Sequence, residues 1–597
     1  YQQALQLDPR HARAYSKLAD VLREQNRLDE AVTYYQRAIQ LRPDDAEVHY
    51  KLGWVLRSLG AYEAAITCYQ RTLQLNPYFA DAHNDLGVVL NELKRFTEAT
   101  QSLRRAVEHQ PEFAGAHKNL GLLLEKQGQL EAARDCYQQA LTLNPDDAEL
   151  RIHVESLCPD IPLDNAEINA YRANLLIKLA QWHAGGEVNP NVSQLHLNTT
   201  VPPFLMSYHG RDDRPLKAAW AALFQGKLPE MPSPLLTSGK LHIGFVVTQH
   251  HEGVFCKAMR GLLNRMSSDR FQLTVVCHQQ RGEQQLRKEI HNPAIHYLPL
   301  PVRFDQSLEA IRQARFHLLY HWEVGTDSVN YFLPFFRLAP VQCTGWGWPV
   351  TSGIPQMDYY LSCQHLETPD SAVHYSERLV QFQRLPVYFD RPAPPEIPVK
   401  RDLFGLTPNQ HLYLCAQNLR KVHPDFDDLI ASILCRDSNG VIVLVEDLQP
   451  AVTEALRQRL QTRLPKVIER VRFLPRLTLP DYLGLLAAAD VALDTLHFGG
   501  GITTYETLAV GTPIVTLPTA FSRGRYAYAA YRQMGLDEGI ATDPEDYIER
   551  ALRFANEPDY RLTFSARLCE ASTELFEDQA VVREFEDFLE SAVAGDS

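Results

Sequence analysis

The sequence lacks two features that would place a protein in a class directly, namely paired cysteines and a long apolar run. Its 10 cysteines are scattered over 597 residues, without a Cys-x-x-Cys pair. No uncharged apolar stretch approaches about 18 residues, the length that a membrane-spanning helix needs. We therefore expect a cytoplasmic protein with reduced cysteines in its cores and no membrane partner.

Positively charged residues are also fewer than negatively charged ones. The chain has 59 Lys and Arg residues against 73 Asp and Glu residues, which gives a formal net charge of −14. This balance argues against nucleic acid as a partner. Hydrophobic residues make up 45% and charged residues 22%, a composition that excludes a disordered or fibrous chain. A globular chain of this length is expected to form several domains.

Three motifs that bind phosphate or its metal ion are missing or misplaced. There is no G-x-x-x-x-G-K-[ST] loop, and no G-x-G-x-x-G follows the first strand of either α/β half described below. A D-x-D pattern at Asp425 and Asp427 falls where a helix begins after Pro424, so these carboxylates are expected to cap that helix. No metal ligand is predicted.

The first 150 residues contain an internal repeat. Prolines recur at an interval of 34 residues, which is the period of tetratricopeptide repeats, each a pair of packed helices. Because the array starts inside a repeat at Tyr1, we expect further residues upstream in the natural protein. The prolines that mark the period are Pro9, Pro43, Pro77, Pro111 and Pro145.

Stacked repeats of this kind form a superhelix whose concave groove binds peptides, so a protein or peptide partner is predicted here. A purely structural spacer is the alternative interpretation. The groove positions are polar and of mixed charge, so the preferred peptide is not readable from them. They are Lys17, Lys51, Asp85 and Asn119.

From Leu241 onward, short apolar runs alternate with helical stretches, which predicts β-α-β units and parallel sheets. A proline-rich stretch at residues 390–398 divides this region into two doubly wound halves of about 160 and 190 residues with a cleft between them. The predicted strands are residues 241–247, 273–277, 317–321, 412–416, 441–446, 471–474, 491–494 and 513–517.

The pattern predicts four segments. They are a repeat array at residues 1–150, a helical connector at 151–237 with a linker at 229–239, a first lobe at 238–395 and a second lobe at 396–597.

A glycine-rich turn in the second lobe is the sharpest chemical signal. Asp494 ends a predicted strand, three glycines follow, and two threonines open a helix. Glycines let the backbone approach a ligand closely, and the unpaired amides of a helix N-terminus bind anions. Glu506, early in that helix, can reach ribose hydroxyls. The residues predicted to bind an anion and a ribose are Gly499, Gly500, Gly501, Thr503, Thr504 and Glu506.

Three segments of the sequence resemble one family, the tetratricopeptide-bearing protein O-glycosyltransferases of O-GlcNAc transferase and SPINDLY type. GGGITTYETLAVGTPIVTLP, at residues 499–518, is similar to the family's nucleotide-sugar motif. RLAPVQCTGWGWPVTSGIPQMDYYLSC, at residues 337–363, is similar to a first-lobe motif. CAQNLRKVHPDF, at residues 415–426, is similar to the segment that carries the family's essential lysine.

The resemblance implies a fold and an activity. The fold is an α-solenoid followed by a two-lobed α/β glycosyltransferase of GT-B type, built from two Rossmann-like domains. The activity is metal-independent transfer of a sugar to Ser or Thr of proteins that the repeats select. The favoured sugar is GlcNAc, donated by UDP-GlcNAc. The UDP-sugar is a substrate, and no cofactor is implied. Glucose and fucose donors stay open.

The resemblance also implies residue roles in the second lobe. Lys421 corresponds to the catalytic lysine, and a cation there would neutralise the leaving diphosphate, where charge grows in the transition state. Asn418, in the same loop, would donate to the phosphate. Tyr482 corresponds to a position that packs on the nucleotide base, although a tyrosine of the core fits the pattern as well.

The first lobe departs from the family pattern. Where the family has a His-Pro pair after the first strand, this chain reads TQHHEGV, and His251 is the nearest candidate for the catalytic base. His321 and Glu323 end another strand and are alternatives. Trp346 and Trp348, in the stretch GWGWPVTSG, fit either a sugar-binding or a core role.

Two other functions are compatible with parts of the sequence. A scaffold that binds nucleotide-sugar without turnover would explain the altered histidine region, whereas Lys421 and the glycine–threonine motif favour the enzyme. A glycosyltransferase acting on small molecules is disfavoured by the repeat array.

Overall fold

A computed structural model describes residues 1–231, 239–278, 281–393 and 401–595 of the chain. These residues form two compact units that meet in sequence between Glu155 and Ser156. The predicted linker at 229–239 and the predicted hinge at 390–398 fall largely outside the described residues. The four-segment division stays a prediction.

The first unit consists of helices. They are α1 (Gln2–Leu7), α2 (Ala12–Glu24), α3 (Leu28–Leu41), α4 (Ala46–Ser58), α5 (Tyr62–Leu75), α6 (Ala80–Glu92), α7 (Phe96–His109), α8 (Ala114–Lys126), α9 (Leu130–Leu143) and α10 (Ala148–Glu155).

Small residues at a fixed position let the two helices of a repeat approach each other. A Cβ atom on Gly53 would lie 2.7 Å from the ring of Tyr69, and one on Gly121 would lie 2.5 Å from the ring of Tyr137. Both tyrosines are fully buried. The turn between the helices needs a left-handed residue, which Gly60 supplies with a φ of 76°. The predicted tetratricopeptide array is therefore confirmed.

The predicted groove positions belong to a line of polar contacts. Asp20 accepts from both Lys17 and Lys51, each at 3.2 Å. One repeat further on, Asp85 accepts from Arg57 at 3.0 Å. The side-chain amide of Asn119 donates to Asn84 at 2.9 Å.

The second unit opens with helical segments in the range predicted for the connector. It contains α11 (Asn165–Gly185), α12 (Arg214–Ala222) and two 3-10 helices, Val192–Leu197 and Phe204–His209.

The first lobe is built on a seven-stranded parallel sheet. Its strands are β1 (Leu241–Val247), β2 (Phe271–His278), β3 (His296–Leu300), β4 (Leu318–His321), β5 (Val341–Thr344), β6 (Tyr359–Cys363) and β7 (Arg378–Phe382). Its helices are α13 (Glu252–Arg265), α14 (Arg281–Glu289), α15 (Phe304–Ala314) and α16 (Ser328–Phe332).

The second lobe is built on a five-stranded parallel sheet. Its strands are β8 (His411–Cys415), β9 (Gly440–Val445), β10 (Val471–Leu474), β11 (Val491–Leu493) and β12 (Ile514–Val515). The helices that follow are α17 (Pro424–Arg436), α18 (Pro450–Arg463), α19 (Leu479–Ala488), α20 (Ile502–Ala509), α21 (Tyr526–Met534), α22 (Pro544–Asn556), α23 (Pro558–Ala571) and α24 (Gln579–Ala594).

Both sheets are doubly wound, which confirms the predicted fold. The strand orders are β3-β2-β1-β4-β5-β6-β7 and β10-β9-β8-β11-β12. In each sheet the chain first moves to one side of its opening strand and then returns to the other side. The loops after β1 and β4, and those after β8 and β11, therefore diverge and leave a crevice at the carboxyl ends.

The last helix crosses back to the first lobe. Phe585 of α24 lies 6.2 Å from the ring of Phe245 and 5.8 Å from that of Tyr320. Arg270 of the first lobe pairs with Glu586 at 2.9 Å. These contacts join the two lobes through one hydrophobic core.

The cysteines only partly follow the prediction. All 10 are free thiols, and six of them are buried. Cys435 and Cys569 are exposed, so the prediction of core positions is wrong for these two. Within the described ranges, none of the helices has both the length and the apolar character needed to cross a bilayer.

Candidate active site

The predicted second-lobe residues meet at the crevice of the second sheet. Strands β8 and β11 are neighbours, with Leu414 paired to Ala492. The loop after β8 carries Lys421, and the loop after β11 carries the glycine run. Two sequence segments about 80 residues apart thus come together at the place where open α/β sheets bind their ligands.

Lys421 faces the glycine run directly. Its Nζ donates to the carbonyl oxygen of Gly499 at 2.9 Å and lies 4.7 Å from the ring centre of Phe498. Burial lowers the pKa of Lys421 to about 8, although the carboxylate of Asp494 opposes this shift. A lysine poised in this way binds an anion more strongly than a solvated surface lysine, because less water must be displaced.

Asp494 holds the glycine turn in place. Its carboxylate accepts from the backbone N–H of Gly500 at 3.1 Å and from the hydroxyl of Thr516 at 2.9 Å. Burial raises the pKa of Asp494 to about 6, and these hydrogen bonds oppose the rise. The backbone N–H of Gly499 donates to the carbonyl of Arg523 at 2.7 Å. The shape of the turn is therefore set by buried polar contacts.

The glycines are required by close neighbours. A Cβ atom on Gly500 would lie 2.3 Å from Nε2 of Gln417 and 2.8 Å from Oγ1 of Thr504. A Cβ atom on Gly501 would lie 3.1 Å from the indole of Trp346, which belongs to the first lobe. The glycine run thus lies against Trp346 of the first lobe, and larger residues would not fit there.

The remaining predicted ligands surround the start of α20. Thr504 is buried in the first turn, and Thr503 lies beside the hydroxyl of Tyr482. Burial raises the pKa of Tyr482, and the nearby carboxylate of Glu506 adds to that rise. Tyr482 is half-buried, so one part of its ring packs on the core and the rest faces this cluster.

Two predicted ligands have other partners in the structure. Glu506 accepts from Lys257 of α13 at 2.8 Å, an ion pair that crosses from the second lobe to the first. Asn418 is exposed, and its side-chain oxygen caps the 3-10 turn Leu419–Lys421 by accepting from the N–H of Arg420 at 3.0 Å. Their roles toward ribose and phosphate stay predictions.

His251 lies at the crevice of the first sheet between two carboxylates. Its Nδ1 is 2.8 Å from Glu323, and its Nε2 is 3.3 Å from Asp327. Burial alone would lower the pKa of His251, but the two carboxylates outweigh it and raise the pKa to about 10. A raised pKa favours the imidazolium, which has no lone pair to accept a proton. This environment opposes the role of base for His251, which stays a prediction.

His321 and Trp346 of the first lobe have structural roles. His321 is buried in β4, where burial lowers its pKa to about 4 and Gln342 lies 3.3 Å away. Trp346 is buried between the rings of Trp322 and Phe389, at 5.8 and 5.7 Å. It therefore belongs to the core.

Trp348, in contrast, belongs to an aromatic wall beside Lys421. Its ring lies 5.8 Å from Phe498, 6.1 Å from Tyr208 and 5.9 Å from Phe204. Phe204 and Tyr208 come from the connector, which the sequence offered no reason to place at the site. Asp494 and Gln417 were also not predicted as site residues. Asp494 is the last residue of a predicted strand and Gln417 directly follows one, positions that could have indicated a site role.

The D-x-D pattern does not act as one unit. Asp427 is buried and pairs with Arg459 at 2.9 Å and Arg463 at 3.2 Å. Asp425 turns the other way, toward His423 and His497. The side chain that caps α17 is His423, which accepts from the N–H of Asp425. The prediction that the two carboxylates cap this helix is therefore wrong.

Two kinds of protein-family model match separate parts of the chain. Models described as TPR repeat or tetratricopeptide repeat match residues 1–33, 19–56, 54–94 and 114–147. The model described as glycosyl transferase family 41 matches residues 392–585, which include Lys421 and the glycine run.

The chain carries a glycosyl transferase family 41 domain behind tetratricopeptide repeats. Curated relatives of this domain include proteins named probable UDP-N-acetylglucosamine–peptide N-acetylglucosaminyltransferase SPINDLY. The protein from Petunia hybrida is 29% identical over 227 residues, covering 37% of this chain and 24% of its own length. The protein from Oryza sativa subsp. japonica is 30% identical over 228 residues, with the same coverage.

A relative named SEC, from Arabidopsis thaliana, is 24% identical over 357 residues, covering 58% of this chain and 36% of its own length. The chain thus spans between about a quarter and about a third of these curated relatives. A solved mutant of Thermobaculum terrenum O-GlcNAc transferase shares the fold across 91% of this chain and 96% of its own length. Its TM-score is 0.63, at 24% identity.

Proposed function

We propose that the family 41 domain transfers a sugar, GlcNAc from UDP-GlcNAc in the first instance, to Ser or Thr hydroxyls of proteins that the repeats bind. The observation that carries this proposal is the position of Lys421, 2.9 Å from the carbonyl of Gly499 at the crevice of the second sheet. The names of the curated relatives support the donor and the kind of acceptor.

The diphosphate of the donor would lie between Lys421 and the first turn of α20. The unpaired amides at that helix end favour negative charge, and the glycines admit a phosphate close to the backbone. Glu506 would accept from ribose hydroxyls after leaving its ion pair with Lys257. Tyr482 would cover the base with the part of its ring that faces the cluster.

Catalysis would depend on the charge that develops on the diphosphate. The bond between sugar C1 and the phosphate oxygen breaks as the acceptor hydroxyl attacks C1. The electron pair stays on the leaving oxygen, where the ammonium of Lys421 and the helix amides stabilise it. The proton of the acceptor hydroxyl passes to an oxygen of the leaving diphosphate, which balances the step without a protein base. The two carboxylates beside His251 raise its pKa, which opposes its use as that base.

The test is incubation of the full chain with radiolabelled UDP-GlcNAc, UDP-glucose and GDP-fucose. Donor hydrolysis and transfer to Ser or Thr of lysate proteins are scored separately. We expect transfer from UDP-GlcNAc above the other two donors. Binding of a nucleotide without hydrolysis or transfer from any donor would instead support the scaffold.

Donor binding should not depend on added Mg²⁺ or Mn²⁺. Lys421 and the amides of α20 supply the positive potential that a bridging metal supplies in other transferases. We expect the Kd of UDP, measured by calorimetry, to change less than about tenfold, or 1.4 kcal/mol, when 5 mM of either ion is added. A larger gain in affinity would show that the donor needs a metal bridge.

Activity should decline at alkaline pH. Since the pKa of Lys421 is about 8 and the protonated form is the active one, kcat/KM should be flat below about pH 8 and fall about tenfold per pH unit above it. The bound diphosphate stabilises the ammonium, so the decline in kcat should begin at higher pH. Arg stays charged throughout, so Lys421→Arg should lose the decline between pH 8 and 9. A wild-type kcat/KM that is unchanged up to pH 10 would contradict this role.

A further inference from the structure

Two histidines and an aspartate converge beside the catalytic lysine loop. Among the described residues, His423, Asp425 and His497 offer three possible ligand atoms within 4.8 Å of one another. Oδ2 of Asp425 lies 3.3 Å from Nδ1 of His423 and 2.8 Å from Nε2 of His497. Ligand atoms around a tetrahedral Zn²⁺ ion lie about 3.3 Å apart, given bonds of about 2.0 Å.

Two of the possible ligand atoms lie close together. Nδ1 of His423 accepts from the backbone N–H of Asp425 at 3.2 Å and lies 3.3 Å from Oδ2 of Asp425. One cation could therefore contact both the imidazole nitrogen and the carboxylate oxygen.

His423 is also buried away from solvent. The side chain is 2% exposed, and its Nε2 has no hydrogen-bond partner in the part of the chain that the structure describes. Leaving a buried polar group without a partner costs about 1–3 kcal/mol. Such a cost is common at positions retained for a functional or ligand-binding reason.

The surroundings resemble the outer shell of a metal site. Oδ1 of Asp425 accepts from the side-chain amide of Asn165 at 2.6 Å, which fixes the orientation of the carboxylate. Asn165 in turn accepts from Arg211 at 2.8 Å, so the positive charge of Arg211 is directed at the amide oxygen. Gly210 makes room for His497, because a Cβ atom there would lie 2.5 Å from the imidazole.

We propose that His423, Asp425 and His497 bind a divalent transition-metal ion, Zn²⁺ in particular. Two imidazoles and one carboxylate form a three-ligand set that suits Zn²⁺ better than Mg²⁺ or Ca²⁺, and a water molecule completes the coordination. On binding, Nε2 of His497 releases its proton to solvent, and Nδ1 of His423 exchanges its long backbone hydrogen bond for the metal.

This ion would not touch the donor; it would hold together the segments that carry the site. His423 follows Lys421 by two residues, His497 directly precedes Phe498, and Asn165 and Gly210 belong to the connector. Binding to the folded state alone would stabilise these loops against unfolding. The proposal does not rest on transferase activity, and the ion is a positioning element distinct from a metal that bridges the diphosphate.

The experiment measures metal binding by the full chain. Protein stripped of metal is titrated with ZnCl₂ in competition with a chromophoric chelator, and Co²⁺ is added separately to record visible absorption bands of a low-coordinate site. We expect one equivalent of Zn²⁺ per chain and a rise in Tm on loading. Absence of saturable Zn²⁺ binding by the unmodified chain would overturn the proposal without reference to any variant.

Variants assign the site. Asn165→Ala removes an outer partner and should weaken Zn²⁺ binding about 10- to 100-fold. His497→Ala and the isosteric Asp425→Asn remove ligands, and each should weaken it further and abolish the Co²⁺ bands. His291→Ala, at an exposed histidine outside the cluster, should bind like the unmodified chain. Circular dichroism establishes that His497→Ala and Asp425→Asn are folded. If both variants then bind Zn²⁺ as tightly as the unmodified chain, the ion binds elsewhere and the proposal fails.

Discussion

Replacing Lys421 with Ala should lower turnover about 10²–10³-fold, roughly 3–4 kcal/mol, while weakening donor binding far less. The negative charge on the diphosphate grows as the glycosidic bond breaks, so a cation fixed 2.9 Å from the Gly499 carbonyl interacts more strongly with the transition state than with the ground state. An interaction of that kind appears mainly in kcat. Single-turnover kinetics and calorimetry with UDP separate the two quantities.

Two further substitutions sharpen this result. Thr504→Ala should raise the donor Kd with a smaller effect on kcat, because the ground-state phosphate already uses the first turn of α20. Lys466→Ala removes an exposed lysine of the same lobe and should leave both constants unchanged. If Lys421→Ala keeps turnover near that of Lys466→Ala, Lys421 is not part of the catalytic machinery and the scaffold becomes the better interpretation.

Removing residues 1–155 should abolish most transfer to protein while sparing hydrolysis of the sugar nucleotide. The repeats form one compact unit and the described residues from Ser156 onward form another, so each has its own core. We expect the first to select the acceptor and the second to perform the chemistry. Transfer to lysate proteins should fall at least about tenfold, the loss of about 1.4 kcal/mol of acceptor binding.

The two activities are measured on the same preparation, so hydrolysis serves as the internal control for the truncated protein. Circular dichroism and a thermal melt establish that the remaining unit is folded. Equal loss of hydrolysis and transfer in a folded truncated protein would contradict the division of labour, and full retention of transfer would show that the repeats do not select the acceptor.

The sequence by itself determined the parts of this protein that depend on local or periodic patterns. A strict interval of 34 residues can be satisfied only by repeated packing of the same helix pair, so the array was predictable from five prolines. Strand β1 was predicted with the bounds it has, because a central parallel strand is a continuous apolar run. The glycine run was recognisable because only a close backbone approach requires such residues in succession.

Other features were decided only by the tertiary structure. Strands β5 and β7 were not predicted from the sequence; they are strands because neighbouring strands of the sheet pair with them. The position of α24 depends on Phe585, whose ring packs against Phe245 and Tyr320. Both of these residues are far from Phe585 in the sequence. Local sequence carries no information about contacts between distant segments.

The pKa values and possible ligand sets of the site also depend on contacts between segments that are distant in sequence. The pKa of His251 is raised because Glu323 and Asp327, more than 70 residues away in sequence, lie beside it. The wall beside Lys421 includes Tyr208 of the connector, and the His423, Asp425 and His497 cluster forms only when two loops meet. A pKa or a ligand set depends on distances of a few ångströms between side chains, and folding alone fixes those distances.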